Sequence, residues 1–318
     1  MDRAIVGVDL GGTQMRVARF DAQLTIQERL VQPTKAREGR DRVISRLLDL
    51  IARVVPDGAG ALEGIGVSVP GPINPHEGTV VKPPNLPGWH NVPIRKIIQE
   101  RFGCPTYLGN DANVAALAEA TLGAAKGYRY VLYLTVSTGI GSGILDDGRL
   151  LVGAEGLGAE AGHMLMVVDG EVKDVEQVAS GTAIARQAVE RLRAGEKSLI
   201  LDLVNGDLEN VSAKIVAQAA AQGDRLAVSL IERAGFMVGL AVASLLHVLN
   251  PQIVVIGGGV SNAGELWFAP LRRAVAEYVL DPAYYQNVPV VPAALGDNVA
   301  LIGAAALVAT HGGSHLRL

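Results

Sequence analysis

A single cysteine, Cys104, occurs in 318 residues. That scarcity excludes an internal disulfide framework and any metal knuckle built from several thiolates. Charge is sparse too: charged residues make up 19% of the chain, and 28 Lys and Arg against 32 Asp and Glu leave a formal net charge of −4. Such a surface carries no electrostatic footprint for nucleic acid or an anionic membrane. No signal-like segment precedes the first expected strand at Ala4–Val8, and no unbroken apolar run reaches the roughly 18 residues of a membrane span. The expectation is a soluble, cytoplasmic protein without nucleic-acid or membrane partners. Both standard phosphate signatures are missing: there is no GxxxxGK followed by Ser or Thr, and no GxGxxG that opens a helix with an acidic residue about 20 positions on.

Glycine, by contrast, is in excess. The 38 glycines are about 12% of the chain, against a usual level of about 7%. They cluster at Gly11-Gly12, at Gly139, Gly141 and Gly143, between Gly153 and Gly162, and at Gly257-Gly258-Gly259. Clustered, non-periodic glycine marks places where backbone must approach something closely.

The length predicts two α/β lobes. Ile5–Asp9 reads as a buried strand, then Gly-Gly-Thr and a second strand over Met15–Phe20. Val43 to Val55 repeats at helical spacing and stops at Pro56, and Ile65–Val69 is a strand that ends in Pro70-Gly71-Pro72. Pro93 opens a helix that ends at Gly103; Thr106–Leu108 is a strand running into Asn110-Asp111, followed by an alanine-rich helix. The alternation points to a parallel or mixed sheet with helices on its faces. Residues 6–21 and 132–147 both read strand, Gly/Thr turn, strand, acidic turn, which suggests an internal duplication. Beyond Ala179 the chain is mostly helical, with Ser180, Ser212 and Asp224 as caps, a strand at Ile253–Ile256 and a last helix over Asn298–Ala309. The tail from His311 is expected to fray.

Hairpin turns with Gly-Thr tips offer backbone N–H groups to a polyphosphate. Asp9, at the end of the first strand, is either a turn cap or a carboxylate that holds Mg2+ through water. Asn110 and Asp111 sit between a strand and a helix, where one of them caps the helix and a carboxylate is also placed to accept a hydroxyl proton. Glu160 and His163, three apart in a glycine-rich loop that holds Glu155, form with Glu176 a polar set suited to sugar hydroxyls. The basic stretch Lys35, Arg37, Arg40, Arg42 and Arg46 reads as a solvated helix face.

Taken in order, DLGGT (9–13), NDAN (110–113), STGIGSGI (137–144), GAEGLGAEAGH (153–163), ASGTAI (179–184) and IGGGVS (256–261) resemble the ROK family of repressors, open reading frames and kinases. The resemblance runs from residue 4 to about 309 and is nearest to bacterial ROK glucokinases. It implies a two-lobed actin-like (ribonuclease H-like) α/β ATPase fold, with mixed sheets flanked by helices and an active site in the interlobe cleft. The lobes would be residues 1–112, completed by 299–318, and residues 113–298. Asp9, Gly11, Gly12 and Thr13 would form the first phosphate loop, Thr138 and Gly139 the second, with Gly257, Gly258 and Gly259 against the adenosine. Asp111 would be the general base, and Asn85, Asn110, Glu160, His163 and Glu176 would bind the sugar beside Pro70 and Gly71.

The implied reaction is transfer of the ATP γ-phosphate, with Mg2+, to the 6-hydroxyl of a hexose, glucose before fructose, mannose, N-acetylmannosamine or N-acetylglucosamine. A homodimer working in glycolysis is implied too. Whether the donor is ATP, ADP or polyphosphate stays open. The family also contains sugar-responsive repressors, which carry an additional N-terminal helix-turn-helix for which the expected strand at residue 4 leaves no room. One departure stands out. Many ROK kinases hold a zinc with a cysteine-rich segment and the histidine of the EAGH motif, whereas residues 164–178 here, MLMVVDGEVKDVEQV, contain no cysteine. The expectation is no structural zinc, and a hydrogen-bond partner for His163 that the sequence does not identify.

Overall fold

Val6, Val8 and Leu10 point to one side of the first strand while Ile5 and Gly7 point to the other, and all five are buried. A strand apolar on both faces belongs at the centre of a covered sheet, and that is its position in the computed structural model, which describes residues 3–56, 58 and 61–316. In chain order the elements are β1 (Ala4–Leu10), β2 (Gln14–Phe20), β3 (Ile26–Pro33), α1 (Arg40–Ala52), β4 (Leu62–Val69), β5 (Ile73–Asn74), β6 (Thr79–Val80), α2 (Ile94–Phe102), β7 (Thr106–Asn110) and α3 (Asp111–Thr121). There follow β8 (Val131–Val136), β9 (Ile140–Asp146), β10 (Arg149–Leu150), β11 (Leu165–Val168), β12 (Glu171–Asp174), α4 (Val175–Ala179), α5 (Gly181–Arg193) and α6 (Leu199–Leu203). The chain closes with α7 (Ala213–Ala221), α8 (Arg225–Leu249), β13 (Ile253–Gly257), α9 (Glu265–Tyr278), β14 (Val290–Pro292) and α10 (Val299–Ala309).

The chain divides into two units, the first comprising residues 1–131, 143–159 and 293–318, the second residues 132–142 and 160–292. In the first, the sheet order is β3-β2-β1-β4-β7, with β1, β4 and β7 parallel. The register sets Asp9 beside Ser68 and Val69 beside Asn110, so the three parallel strands deliver their carboxyl ends to one edge of the sheet. One face is covered by an apolar core that includes Val43, Leu47 and Ile51 of α1 and Ile94 and Ile98 of α2. The other face carries α10 with almost nothing between: a Cβ on Gly66 would fall 1.7 Å from the Ala304 carbonyl oxygen, and one on Gly303 would fall 2.0 Å from that of Val114 in α3. Fully buried Glu119 of α3 accepts from the backbone N–H groups of Ala124, Ala294 and Leu295, which fixes the approach to α10. The C-terminal tail does not fray through Leu316, because Leu150 N donates to Gly313 O (2.9 Å) and Leu316 N to Gly148 O (3.0 Å).

The second sheet has the order β10-β9-β8-β13-β14. With β8 in place of β1, this repeats the order of the first sheet, hairpin outward on one side and parallel additions on the other, in keeping with the internal repeat read from the sequence. Two hairpin elements were not legible as such: β3, and the pair β11–β12, which turns at Asp169-Gly170 with both residues at positive φ as a two-residue hairpin loop requires. In α8, an 18-residue window has a mean hydropathy of 1.7, so by length and composition this helix passes the test for a membrane span that the search for unbroken runs had excluded. Burial accounts for it: 61% of that window is buried, and Gly235 and Gly239 let α9 approach so closely that a Cβ on Gly235 would meet Trp267 O at 2.2 Å.

The Gly66 contact is with backbone, which no rotamer change can relieve. Gly66→Ala is expected to lower the unfolding free energy by about 3 kcal/mol, read as a fall in the urea midpoint at unchanged m-value. An unchanged midpoint would show that α10 can retreat from the sheet at no cost.

Candidate active site

In the first unit, the edge formed by the ends of β1, β4 and β7 gathers most of the expected residues. The Gly11-Gly12-Thr13 turn closes when Gly11 N donates to Gln14 O (3.1 Å). It is clamped from the end of β3 by Thr34, a fully buried residue whose Oγ1 donates to Gly11 O (2.6 Å) and whose N donates to Thr13 O (2.9 Å). Arg46, read from the sequence as solvated, donates to Thr34 O (2.6 Å) and pairs with Glu38. A Cβ on Gly12 would lie 2.6 Å from Asn85 Cβ, so glycine is what admits the exposed Asn85 to the Gly-Gly-Thr turn. Asp9 is not a simple turn cap: its Oδ2 accepts from Arg16 Nε (2.6 Å) and pairs with Nη2 (2.5 Å), while Arg16 Nη1 donates to Asp297 O (2.7 Å). The sequence reading passed over Arg16. The signal was available, because a Gly-Gly-Thr hairpin places residue 16 directly opposite residue 9.

The ambiguity at Asn110-Asp111 resolves in favour of Asn110 as the cap. Asn110 Oδ1 accepts from Asn113 N (2.8 Å), while Asp111 begins α3 and its carboxylate accepts from Ala112 N (3.0 Å). Asp111 is therefore free of the capping role and open to solvent. Dense protein around the carboxylate nonetheless disfavours its charged form, and the nearby negative charge of Asp9 adds to this, so the Asp111 carboxyl is raised above the ordinary aspartate range. The Pro70-Gly71-Pro72 turn leaves β4 alongside: a Cβ on Gly71 would touch Asn110 Cβ at 4.0 Å.

In the second unit, the Ser137-Thr138-Gly139 turn is held from three sides. Gly181 N donates to Ser137 O (2.7 Å), Thr182 Oγ1 to Thr138 O (2.7 Å), and Ile140 N to Glu176 Oε2 (2.7 Å). Glu176 thus sits against Gly139, where a Cβ would lie 2.4 Å from Oε2. The structure ties this residue to the Ser137-Thr138-Gly139 turn, a contact the sequence did not suggest. The short helical turn Ala161–His163 is pinned to β9 by Ala161 N, which donates to Ser142 Oγ (2.9 Å), and by Gly162, whose Cβ would fall 2.0 Å from Ile140 O; His163 N in turn donates to Glu160 O (3.0 Å).

His163 has a partner: its Nδ1 lies 3.2 Å from Asp174 Oδ2. The other oxygen of Asp174 accepts from Gln177 N (2.7 Å) and caps α4, the helix that carries Glu176. One carboxylate therefore orients the imidazole and starts the helix whose Glu176 holds the Ser137-Thr138-Gly139 turn. The contact fixes Nδ1 as the donor, leaves Nε2 for a ligand, and raises the His163 pKa above its ordinary value. Among the described residues no cluster of three or more His, Cys, Asp or Glu is arranged to hold a metal ion.

Beyond the turn lies a cavity of about 810 Å3, whose walls include Thr138, Gly181, Ala217, Gly259 and Val260. Gly258, at φ 90°, packs its α-carbon so near β8 that a Cβ would lie 2.3 Å from Val136 O, and Gly257 ends β13 beside it. Of the residues expected to bind the nucleotide, the second unit thus brings Thr138, Gly139 and the Gly257–Gly259 turn together.

The profile of the ROK family matches residues 5–311. The chain is 37% identical to a glucokinase from Thermotoga maritima over 96% of each protein. It is 30% identical to a xylose repressor from Caldicellulosiruptor bescii, over 96% of this chain and 78% of the repressor. Its structure is similar to that of a ROK family glucokinase from Streptomyces griseus in complex with glucose and AMPPNP, with a TM-score of 0.77 at 29% identity, covering 96% of this chain and 98% of the other. The actin-like α/β class expected from the sequence holds.

Because Asn caps helices as well as Asp does, Asp174→Asn should leave α4 intact while removing the charge beside His163. The raised pKa means that the pair stabilises the fold below about pH 6.5 and that this contribution is lost as the pH rises through the His163 value. In NMR titrations the His163 midpoint is expected above 6.5 in the unmodified protein and lower in Asp174→Asn; equal midpoints would rule out the pairing.

Proposed function

The chain belongs to the ROK family, and from that premise we propose that it is an ATP-dependent hexose kinase that phosphorylates the sugar 6-hydroxyl, with glucose as the favoured acceptor. The observation that carries the reading is the division of labour at the end of β7: Asn110 caps α3, which leaves the Asp111 carboxylate for chemistry. Asp111 accepts the proton of the 6-hydroxyl as that oxygen attacks the γ-phosphate, and its raised pKa makes it a better proton acceptor than an ordinary aspartate.

Asn85, the amide nitrogen of Asn110, Glu160, Nε2 of His163 and Glu176 are assigned to the sugar hydroxyls, with Pro70 and Gly71 beside them. Gly11, Gly12 and Thr13 in one turn and Thr138 and Gly139 in the other are assigned to the phosphates, and Gly257, Gly258 and Gly259 to the adenosine. The donor set suits Mg2+, which favours one or two carboxylates together with phosphate oxygens: Asp9 uses only Oδ2 on Arg16, and Oδ1 accepts no hydrogen bond among the described residues. Mg2+ held there through water would offset phosphate charge. Family membership supports a cytoplasmic homodimer that supplies glucose 6-phosphate to glycolysis.

A coupled ADP-release assay across a panel of hexoses tests the reading. Turnover is expected on glucose, and Asp111→Ala should lower kcat by roughly 100-fold to 10,000-fold. Failure on every hexose would reject the kinase, and an active Asp111→Ala would reject the base. Because the Asp111 pKa is raised, kcat/KM should fall on acidification with a midpoint above 3.8; the same shift means that ionising Asp111 costs folding stability as the pH rises from that value to the raised one. Elemental analysis of the purified protein should find no stoichiometric zinc, since residues 164–178 supply no thiolate and no cluster of three or more His, Cys, Asp or Glu among the described residues is arranged to hold a metal; one zinc per chain would overturn that expectation.

A further inference from the structure

The 810 Å3 cavity of the second unit differs in chemistry from one end to the other. At one end stand Ser137 and Thr138, Gly181 and Thr182 at the start of α5, and Ser212 at the cap of α7. These groups are locked together: Gly181 N donates to Ser137 O, and a Cβ on Gly181 would lie 3.3 Å from Ala213 Cβ, so the first residue of α7 abuts the phosphate turn. The cavity is also lined by the apolar side chains Ala185, Ala217, Ala221, Ile231 and Val260, of which Ala217 and Ala221 lie one and two turns along α7 from that polar end.

Ala213, Ala217 and Ala221 are four apart and so form one ridge of α7. At 1.5 Å per residue that ridge is about 12 Å long, enough to run from a phosphate group past a ribose to a base. Lys214 and Gln218 follow one residue behind it and also line the cavity, about 6 Å apart along the axis. Lys214 stands in the first turn of α7, is exposed, and has no carboxylate within ion-pair distance among the described residues. Gln218 stands one turn on, beside the apolar wall, with an amide that both donates and accepts.

We infer that Lys214 and Gln218 are the residues that read the phosphate donor, Lys214 at its phosphate end and Gln218 at its base. The inference rests on the kinase reading above and names the side chains that hold its nucleotide donor. An uncompensated ammonium at the polar end matches a phosphate oxygen. A glutamine amide matches the adjacent amino group and ring nitrogen of adenine, which a guanine replaces with two acceptors. A polyphosphate chain would occupy the polar end and leave the alanine-lined end unfilled, so the cavity favours a donor that carries a planar apolar group.

The test uses the whole protein. AMPPNP binding, measured by calorimetry, is expected to weaken roughly 10-fold or more in Lys214→Ala and to recover in Lys214→Arg. Gln218→Ala should reduce the ratio of kcat/KM for ATP over GTP by roughly 10-fold, while the KM for glucose at saturating donor stays unchanged in both variants. Unaltered AMPPNP affinity in Lys214→Ala overturns the role of Lys214, and an unaltered ATP-to-GTP ratio in Gln218→Ala overturns that of Gln218. Failure of the unmodified protein to bind AMPPNP while still phosphorylating glucose from polyphosphate overturns the nucleotide donor, here and in the proposed function, and leaves the hexose kinase standing. Failure to bind AMPPNP with no phosphorylation from any donor overturns the kinase reading with it.

Discussion

The contact of α10 with the bare backbone of the first sheet is the constraint on which the first unit depends. A helix normally rests on a sheet through side chains, which set a separation of about 10 Å and allow small adjustments. Here Gly7 and Gly66 in the strands remove that layer, and Gly303 on the helix does the same toward α3. Backbone then bears on backbone. Strands β1 and β4 and helix α3 are located relative to one another through a common, incompressible support, and the residues at their ends inherit that definition. Asp9 and Asp111 are near enough for one charge to affect the ionisation of the other, a coupling that needs the strand ends to hold their places.

Within that frame, single side chains serve two neighbours at once. Thr34 clamps both sides of the Gly-Gly-Thr turn, Arg16 joins Asp9 to the carbonyl of Asp297, and Asp174 joins His163 to α4. Such shared anchors fix geometry at low cost, because the side-chain entropy lost in ordering one residue is offset by two sets of contacts. Glu176 is a similar case. By accepting from Ile140 N it couples the glycine turn to the helix that Asp174 begins, so the imidazole and that turn share one mechanical element.

How much of this was legible in the sequence follows from the range of each interaction. The central strands, the caps at Ser180, Ser212 and Asp224, and the Gly-Thr turns are local patterns, and the structure has them where the spacing put them. The glycine clusters announced close approaches, but not what approaches: Gly66 is paired with Ala304, 238 positions later in the sequence. The capping question at Asn110 and Asp111 could not be decided from two adjacent good caps, because the choice depends on where the helix starts. Asp174 could not be matched to His163 from the sequence, because its return depends on the β11–β12 hairpin, whose strands are only four residues long. Lys214 and Gln218 carried no motif at all, and only the packing of α7 against α5 gives them a place in a cavity.

The support supplied by α10 also has a temporal side. The strands it covers are synthesised before the second unit, whereas residues 299–309 follow the whole of it. At a translation rate of roughly 5–20 residues per second, the bare glycine face of β1 and β4 waits some ten seconds or more for its cover. Vectorial folding is therefore reversed in this chain: the unit that begins first is completed last, and the nascent protein passes through a stage in which its second half can be finished while its first half is still open.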